Sequence, residues 1–239
     1  ELIHDVAPGA DLAFRTAFQG PADFANGIGE LVSAGSDVVV DDIGYLTEPF
    51  FQDGIIAQAA DNAAAAGVPY FSAAGNSGRD SYESAFRPST VFNIGGVGLS
   101  QAHDFDPGPG VDVFQAFTLA AGESILLSFQ WDQPHAQAGG AGSANDMDIF
   151  VLNNATNTIL AGSATNNVGG DAVELVEFQN PTGSTATFNL LLTQDLSEGG
   201  PTPGLVKYID FNGGTSGAEF ATNSSTSFGH PNAAGAAGV

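Results

Sequence analysis

At 239 residues the chain can hold one large domain or two ordinary ones, and 43% hydrophobic content is ample for a packed core, which excludes a disordered chain. Its net charge of −23 sets 27 acids against only Arg15, Arg79, Arg87 and Lys207, a surface that repels phosphate backbones and anionic headgroups; nucleic-acid and membrane partners are disfavoured and divalent cations favoured. The absence of cysteine excludes disulfides, thiolate chemistry and zinc–sulfur sites, and no apolar run approaches the ~20 residues that span a bilayer.

The opening Glu1-Leu2-Ile3-His4-Asp5-Val6 reads as interior sequence, so the chain is expected to be a fragment or a processed piece. Ala10 to Phe18 carries Leu12, Phe14 and Phe18 among small residues, the pattern of a strand buried on both faces, with Ala7-Pro8-Gly9-Ala10 as the turn before it. After Gly20-Pro21, the apolar residues Phe24, Ile28, Leu31 and Val32 form one stripe of an amphipathic helix that Gly35 ends. Asp37 to Val40 predicts a second buried strand. Phe50 to Ala66 predicts another helix, with Ile55, Ile56, Ala59, Ala60 and Ala63 inward and Gly67 as its stop. Tyr70 to Ala74 is then a short buried strand that halts at Gly75-Asn76-Ser77-Gly78. Strand, helix, strand, helix, strand at these lengths argues a parallel sheet, and ligands gather at the carboxyl end of such a sheet. Asn76 offers there a neutral side-chain donor of the kind an oxyanion needs, although the same four residues also read as a plain turn.

The order Ile3-His4-Asp5-Val6-Ala7-Pro8-Gly9-Ala10, then Gly35-Ser36-Asp37-Val38-Val39-Val40, then Gly67-Val68-Pro69-Tyr70-Phe71-Ser72-Ala73-Ala74-Gly75-Asn76-Ser77-Gly78 resembles the central part of a subtilisin-like serine peptidase. The resemblance implies that Asn76 is the oxyanion-hole donor. It further implies that the backbone of Ser72, Ala73, Ala74 and Gly75 lines one wall of the primary specificity pocket, and that Gly44 lies where substrate backbone pairs. The family's catalytic Asp, His and Ser have no counterpart here. Gly214-Thr215-Ser216-Gly217 matches the serine segment only superficially and reads as a loop. His4 and Asp5, adjacent on a helix, face different ways, and Ser77 has Arg79 where a nucleophile elbow needs glycine. Asp41-Asp42, where the family has a small hydroxyl residue, could read a basic substrate side chain, bind a cation, or cap and solvate the loop; capping is the favoured reading.

Beyond Asp80 the helical spacing gives way to short strands with turn signals between them. Strands are expected at Val111 to Leu119, Ser124 to Trp131, Asp148 to Leu152, Thr158 to Ala161, Ala172 to Phe178, Ser184 to Thr193 and Leu205 to Phe211, which together predict a jelly-roll-like β-sandwich. Ile125, Leu127, Phe129 and Trp131 alternate onto one face. Asp112 to Leu119, Asn145-Asp146-Met147-Asp148-Ile149-Phe150-Val151-Leu152 and Phe188-Asn189-Leu190-Leu191-Leu192 resemble the bacterial pre-peptidase C-terminal domain, a sandwich attached to secreted peptidases. Asn145, Asp146 and Asp148 are oxygen donors of the kind Ca²⁺ accepts, set against the reading of a solvated strand edge; Asp104 and Asp106 repeat that spacing. His103, His135 and His230 are scattered, which argues against a histidine metal site, and Trp131 reads as core.

Ser227 to Val239 returns to small-residue α/β grammar and is expected to close the sheet, with His230 a turn residue. The expected organisation is a partial subtilisin-like α/β domain at 1–102, an inserted β-sandwich at 103–222, and a return to the α/β domain at 223–239. The resemblance implies a secreted bacterial serine endopeptidase acting on polypeptides, of which this chain is a fragment, inactive alone. The alternative is a non-catalytic, calcium-dependent binding or adhesion module on a degenerate peptidase scaffold.

Overall fold

The computed structural model describes residues 2–239. The chain forms two compact units, one made of the residues up to Ile43 with Ile55–Ala74 and His230–Val239, the other of Gly44–Gly54 and Gly75–Gly229.

The first unit opens with α1 (Leu2–Val6), none of it buried. Helix α2 (Pro21–Ser33) starts on a proline, whose fixed φ suits a first helical position, and buries Phe24, Gly27 and Ile28. Gly35, at φ +90, supplies the left-handed residue that stops it. Strand β1 (Val39–Asp41) leads to α3 (Ile55–Ala65), which buries Ile56, Ala57, Ala60 and Ala63, and then to β2 (Tyr70–Ser72). The closing strand β13 (Ala236–Gly238) and β1 both pair with β2 in parallel, so β2 is central. Gly235 makes that closure fit: a side chain there would strike the Cα of Asp61 and the Cβ of Ala64 on α3. Its N–H donates to Asp61 Oδ1 at 2.6 Å.

Two expectations for this unit fail. Residues 10–18 form no strand, and Leu12, Phe14 and Phe18 are largely exposed. A strand needs a neighbour for its backbone groups, and none pairs with this segment among the described residues; Arg15 instead fastens it to α2 through Asp23 and Glu30, each at 2.7 Å. Of the three valines before Asp41, only Val39 is buried.

The second unit is a β-sandwich. Its strands are β3 (Ser81–Ala85), β4 (Pro88–Ile94), β5 (Gly98–His103), β6 (Gln115–Leu119), β7 (Ser124–Trp131), β8 (Met147–Asn153), β9 (Ile159–Ser163), β10 (Val173–Gln179), β11 (Ala186–Asp195) and β12 (Leu205–Asp210). One antiparallel sheet runs β10-β7-β12-β3; the other runs β4-β5-β11-β8-β9, with β6 also on β11. The alternating residues Ile125, Leu127, Phe129 and Trp131 are fully buried between them, each contributing roughly 1.5–3 kcal/mol of burial for its aliphatic or aromatic side chain. Strand β8 is buried on both faces: Met147, Ile149 and Val151 join the main core, while Phe150 and Leu152 join a smaller cluster with Ile94, Ala102, Val113 and Leu191. The sandwich unit is wider than the expected 103–222, because β3, β4 and β5 hydrogen-bond into its sheets.

Candidate functional site

The expected substrate-side residues fall on both sides of the boundary between the units. Ser72, Ala73 and Ala74 belong to the first; Gly44, Gly75 and Asn76 belong to the second. Asn76 and Gly44 are exposed, and Gly75 takes φ +85, which turns the chain after β2. The backbone of Ser72 to Ala74 is already engaged. Ala73 N–H donates to Asp41 O at 3.3 Å, Ala74 N–H to Val239 O at 2.9 Å, and Val239 N–H to Ser72 O at 2.9 Å.

Beneath this strand end lies a cluster that the sequence did not announce. Ser72 Oγ donates to Asp41 Oδ1 at 2.8 Å, and His230 Nε2 approaches the same oxygen at 3.1 Å. The Ile43 N–H donates to it as well, at 3.3 Å. Ser72 and His230 are fully buried and Tyr70 nearly so. Burial alone would raise the Asp41 carboxyl, but His230, Tyr70 and Ser72 outweigh it and hold the group below its ordinary value. Asp41 thus caps its own loop through the Ile43 N–H as expected, but its side chain is buried rather than solvated and is also the hub joining β1, β2 and the His230 turn. Serine, aspartate and histidine meet here, but in the wrong order for a nucleophilic triad. There the imidazole stands between hydroxyl and carboxylate, and here both side chains use one carboxylate oxygen, sealed from substrate.

Replacing Asp41 by Asn should loosen this unit by about 1–3 kcal/mol, the cost of leaving buried polar groups poorly matched. Amide exchange at Ala73 should then quicken about tenfold or more, since 1.4 kcal/mol is a factor of ten. Because the folded-state pKa lies below the ordinary carboxylate value, this stabilisation is present above that value and lost as pH falls through the depressed one.

In the sandwich, Asp146 and Asp148 are both buried on the outer face of β8, beside Asp195 on β11 and near Glu174 on β10. Asp148 pairs across the strands with Thr193, whose Oγ1 donates at a long 3.4 Å. Burial, then Asp146, Asp195 and Glu174, push the Asp148 carboxyl up to about 8. Asp146 is raised to about 6 by burial first; the Asn167 N–H at 3.1 Å opposes the rise, and Asp195, Glu174 and Glu198 add to it. Glu174 accepts from Ser163 Oγ and from Thr165 N–H and Oγ1, and Asp195 Oδ1 from Ser197 N–H and Oγ.

Asn145 is not part of this corner. Its Oδ1 accepts from Trp131 Nε1 at 2.7 Å and from Ser143 Oγ, and its Nδ2 donates to Pro201 O at 2.6 Å, so its amide is spent fixing Trp131 in the core. The residue that sequence reasoning missed is Asn167, which sits in the loop between β9 and β10. Its loop is pinned where Gly142 and Gly169 pass so closely that a Cβ on Gly142 would overlap the Gly169 backbone. Asp104 and Asp106 close their own loop, accepting from the Asp106, Asp112 and Gly108 N–H groups.

Together these features define a chain with a small parallel sheet flanked by helices and a larger β-sandwich. No family model matches the sequence, and no curated protein does. Solved structures similar to it include arabinose-bound MgGH51 α-L-arabinofuranosidase, at 13% identity over 53% of this chain and 22% of that one, with a TM-score of 0.21. A CBM4 structure matches at 14% identity over 56% and 84%, with a TM-score of 0.25. The Macrobrachium rosenbergii nodavirus P-domain matches at 13% over 60% and 94%, with a TM-score of 0.16. The chain spans about a fifth of the arabinofuranosidase, and at these TM-scores the likenesses carry no functional argument.

Proposed function

We propose that this chain is the central part, bearing the oxyanion-hole donor, of a secreted bacterial subtilisin-like serine endopeptidase whose α/β domain is interrupted by the β-sandwich. One observation carries the reading: β2, the central strand of a parallel sheet, ends at Ser72, and the chain turns through Gly75 to an exposed Asn76. A neutral amide donor past the carboxyl end of a central parallel strand is the kind of group that stabilises the charge developing in acyl transfer, which supports this reading. In that chemistry a serine attacks the scissile carbonyl of a polypeptide, a histidine takes its proton and later returns it to the leaving amine, and Asn76 donates to the oxyanion. The serine, histidine and orienting aspartate have no matching motif in this sequence. The chain alone is accordingly inactive, and His230, buried against Asp41, plays no part in proton transfer.

A fluorophosphonate serine probe tests both halves of this reading. The chain alone should remain unlabelled, whereas the same chain within its natural flanking sequence should label at one serine outside it. Labelling of a serine inside the chain, or none in the longer protein, would overturn the proposal.

A further inference from the structure

The corner of the sandwich formed by β8, β11 and the 164–170 loop gathers buried oxygen acceptors and nothing that neutralises them. The chain has four cationic side chains, and each is engaged elsewhere. Arg15 pairs with Asp23 and Glu30, Lys207 with Glu83 at 3.0 Å, Arg79 donates to Asn223 O, and Arg87 reaches Tyr82. A second, independent observation comes from Asn167, which is more than nine-tenths buried. Its Nδ2 donates to the Asp171 and Val173 carbonyls, which fixes the amide orientation, and its Oδ1 has no hydrogen-bond partner. The Asn167 N–H donates to Asp146 Oδ1 at 3.1 Å, which seats this residue against that carboxylate. A buried carbonyl-type oxygen with no donor is expensive, and beside two poorly solvated carboxylates any further acceptor worsens the repulsion. What satisfies all of them at once is a cation.

We propose that Asp146, Asp148, Asp195 and Asn167 Oδ1 form a Ca²⁺ site in the β-sandwich. The donor set is all oxygen, carboxylate and amide carbonyl, which is the chemistry of a hard cation. Calcium fits it better than magnesium, because it accepts irregular sets of 6–8 oxygens at ~2.3–2.6 Å and carries fewer obligatory waters. Glu174, held by Ser163 and Thr165, contributes negative charge from behind. No trio of His, Cys, Asp or Glu side chains among the described residues is already drawn close enough to grip a metal. Both flanking segments already hydrogen-bond to Asp146, the Asn167 N–H to its Oδ1 at 3.1 Å and the Asp195 N–H to its backbone oxygen at 3.0 Å, so an ion has only side chains to draw together. Asn145, turned toward Trp131, takes no part.

The test is thermal unfolding of the chain in EDTA, then with CaCl₂ or MgCl₂ at matched ionic strength. Calcium should raise the Tm of the sandwich transition by about 5–10 °C at roughly 100-fold above its dissociation constant, with magnesium much weaker. Asp148→Asn should abolish the calcium shift while leaving the EDTA-state Tm unchanged or higher, because it removes one of the repelling charges. Asp106→Asn, in the loop that closes on itself, should retain the full shift. Should Asp148→Asn fail to fold, Asn167→Ala serves instead and should weaken calcium binding at least tenfold by calorimetry. No shift with calcium up to about 10 mM, or a full shift retained in both site variants, overturns the proposal. None of these readouts depends on peptidase activity, so the site and the peptidase reading fail separately.

Discussion

Asn76→Ala, made in the intact peptidase that we propose, should lower kcat by about 10²–10³ with little change in KM; this is the magnitude measured for the side-chain donor of subtilisin itself. The split matters as much as the size. A donor that meets the oxygen only after it becomes an oxyanion strengthens in the transition state and contributes little to ground-state binding, so its loss falls on kcat. A turn-forming asparagine, the competing reading of Gly75-Asn76-Ser77-Gly78, would behave differently. Its replacement would shift stability by a few tenths to about one kcal/mol and leave kcat nearly unchanged. Steady-state kinetics on one peptide substrate, with thermal unfolding in parallel, separates the two, and an unaltered kcat would remove Asn76 from the chemistry.

Acid should unfold the sandwich largely through His103. Its ring is fully buried among Tyr82, Phe86 and Phe105; Nδ1 accepts the Arg87 N–H at 3.1 Å, and Nε2 meets Tyr82 Oη at 2.8 Å. One ring nitrogen is thus committed as an acceptor, which leaves no room for a second proton. Burial first, and the nearby Arg87 charge second, press its pKa from 6.5 down to about 3. Between those values the unfolded chain binds a proton that the folded one refuses, so stability rises with pH and is lost as pH falls from 6.5 toward 3. The slope for this one proton is about 1.4 kcal/mol per pH unit, or roughly 5 kcal/mol over the window. His103→Asn keeps an acceptor for the Arg87 N–H and cannot titrate. Its stability relative to the wild type should therefore improve steadily on acidification. Urea midpoints at four pH values would show this, and parallel curves would mean that His103 carries no such load.

Much of the sandwich could be read in the sequence because its central strands write their burial into apolar alternation. Ser124 to Trp131 is observed as expected, with all four inward residues in the core. Strands β3 and β5 escaped because their buried positions are Tyr82, Ser100, Ala102 and His103, which do not spell a hydrophobic stripe, and β4 because Ile94 is its one buried residue. The helices of the first unit were legible from stripes and stop glycines. The 10–18 segment misled because an apolar run states only that a strand could be buried, not that a neighbour is present to pair with it. Local spacing grouped Asn145 with Asp146 and Asp148, whereas the structure gives the Asn145 amide to Trp131 and Pro201 and brings Asn167 to Asp146. Asn145 is adjacent in sequence yet points to the other face, and Asn167 arrives from a separate loop. The cap that Asp41 makes was legible, but the burial of its side chain was not, since its partners Ser72 and His230 lie 31 and 189 residues away.

The placement of β13 has a consequence for how the molecule is made. Its parallel partner β2 ends at Ser72, and β13 begins at Ala236, so about 160 residues must be synthesised before the pair can exist. At ~5–20 residues per second, β2 waits on the order of ten to thirty seconds on the ribosome with one flank unpaired. The sandwich is not a finished body during most of that interval, because β12, internal to one of its sheets, ends at Asp210, about 25 residues before β13. Synthesis order thus delivers the last strand of each unit close together, β12 for the sandwich and then β13 for the small parallel sheet.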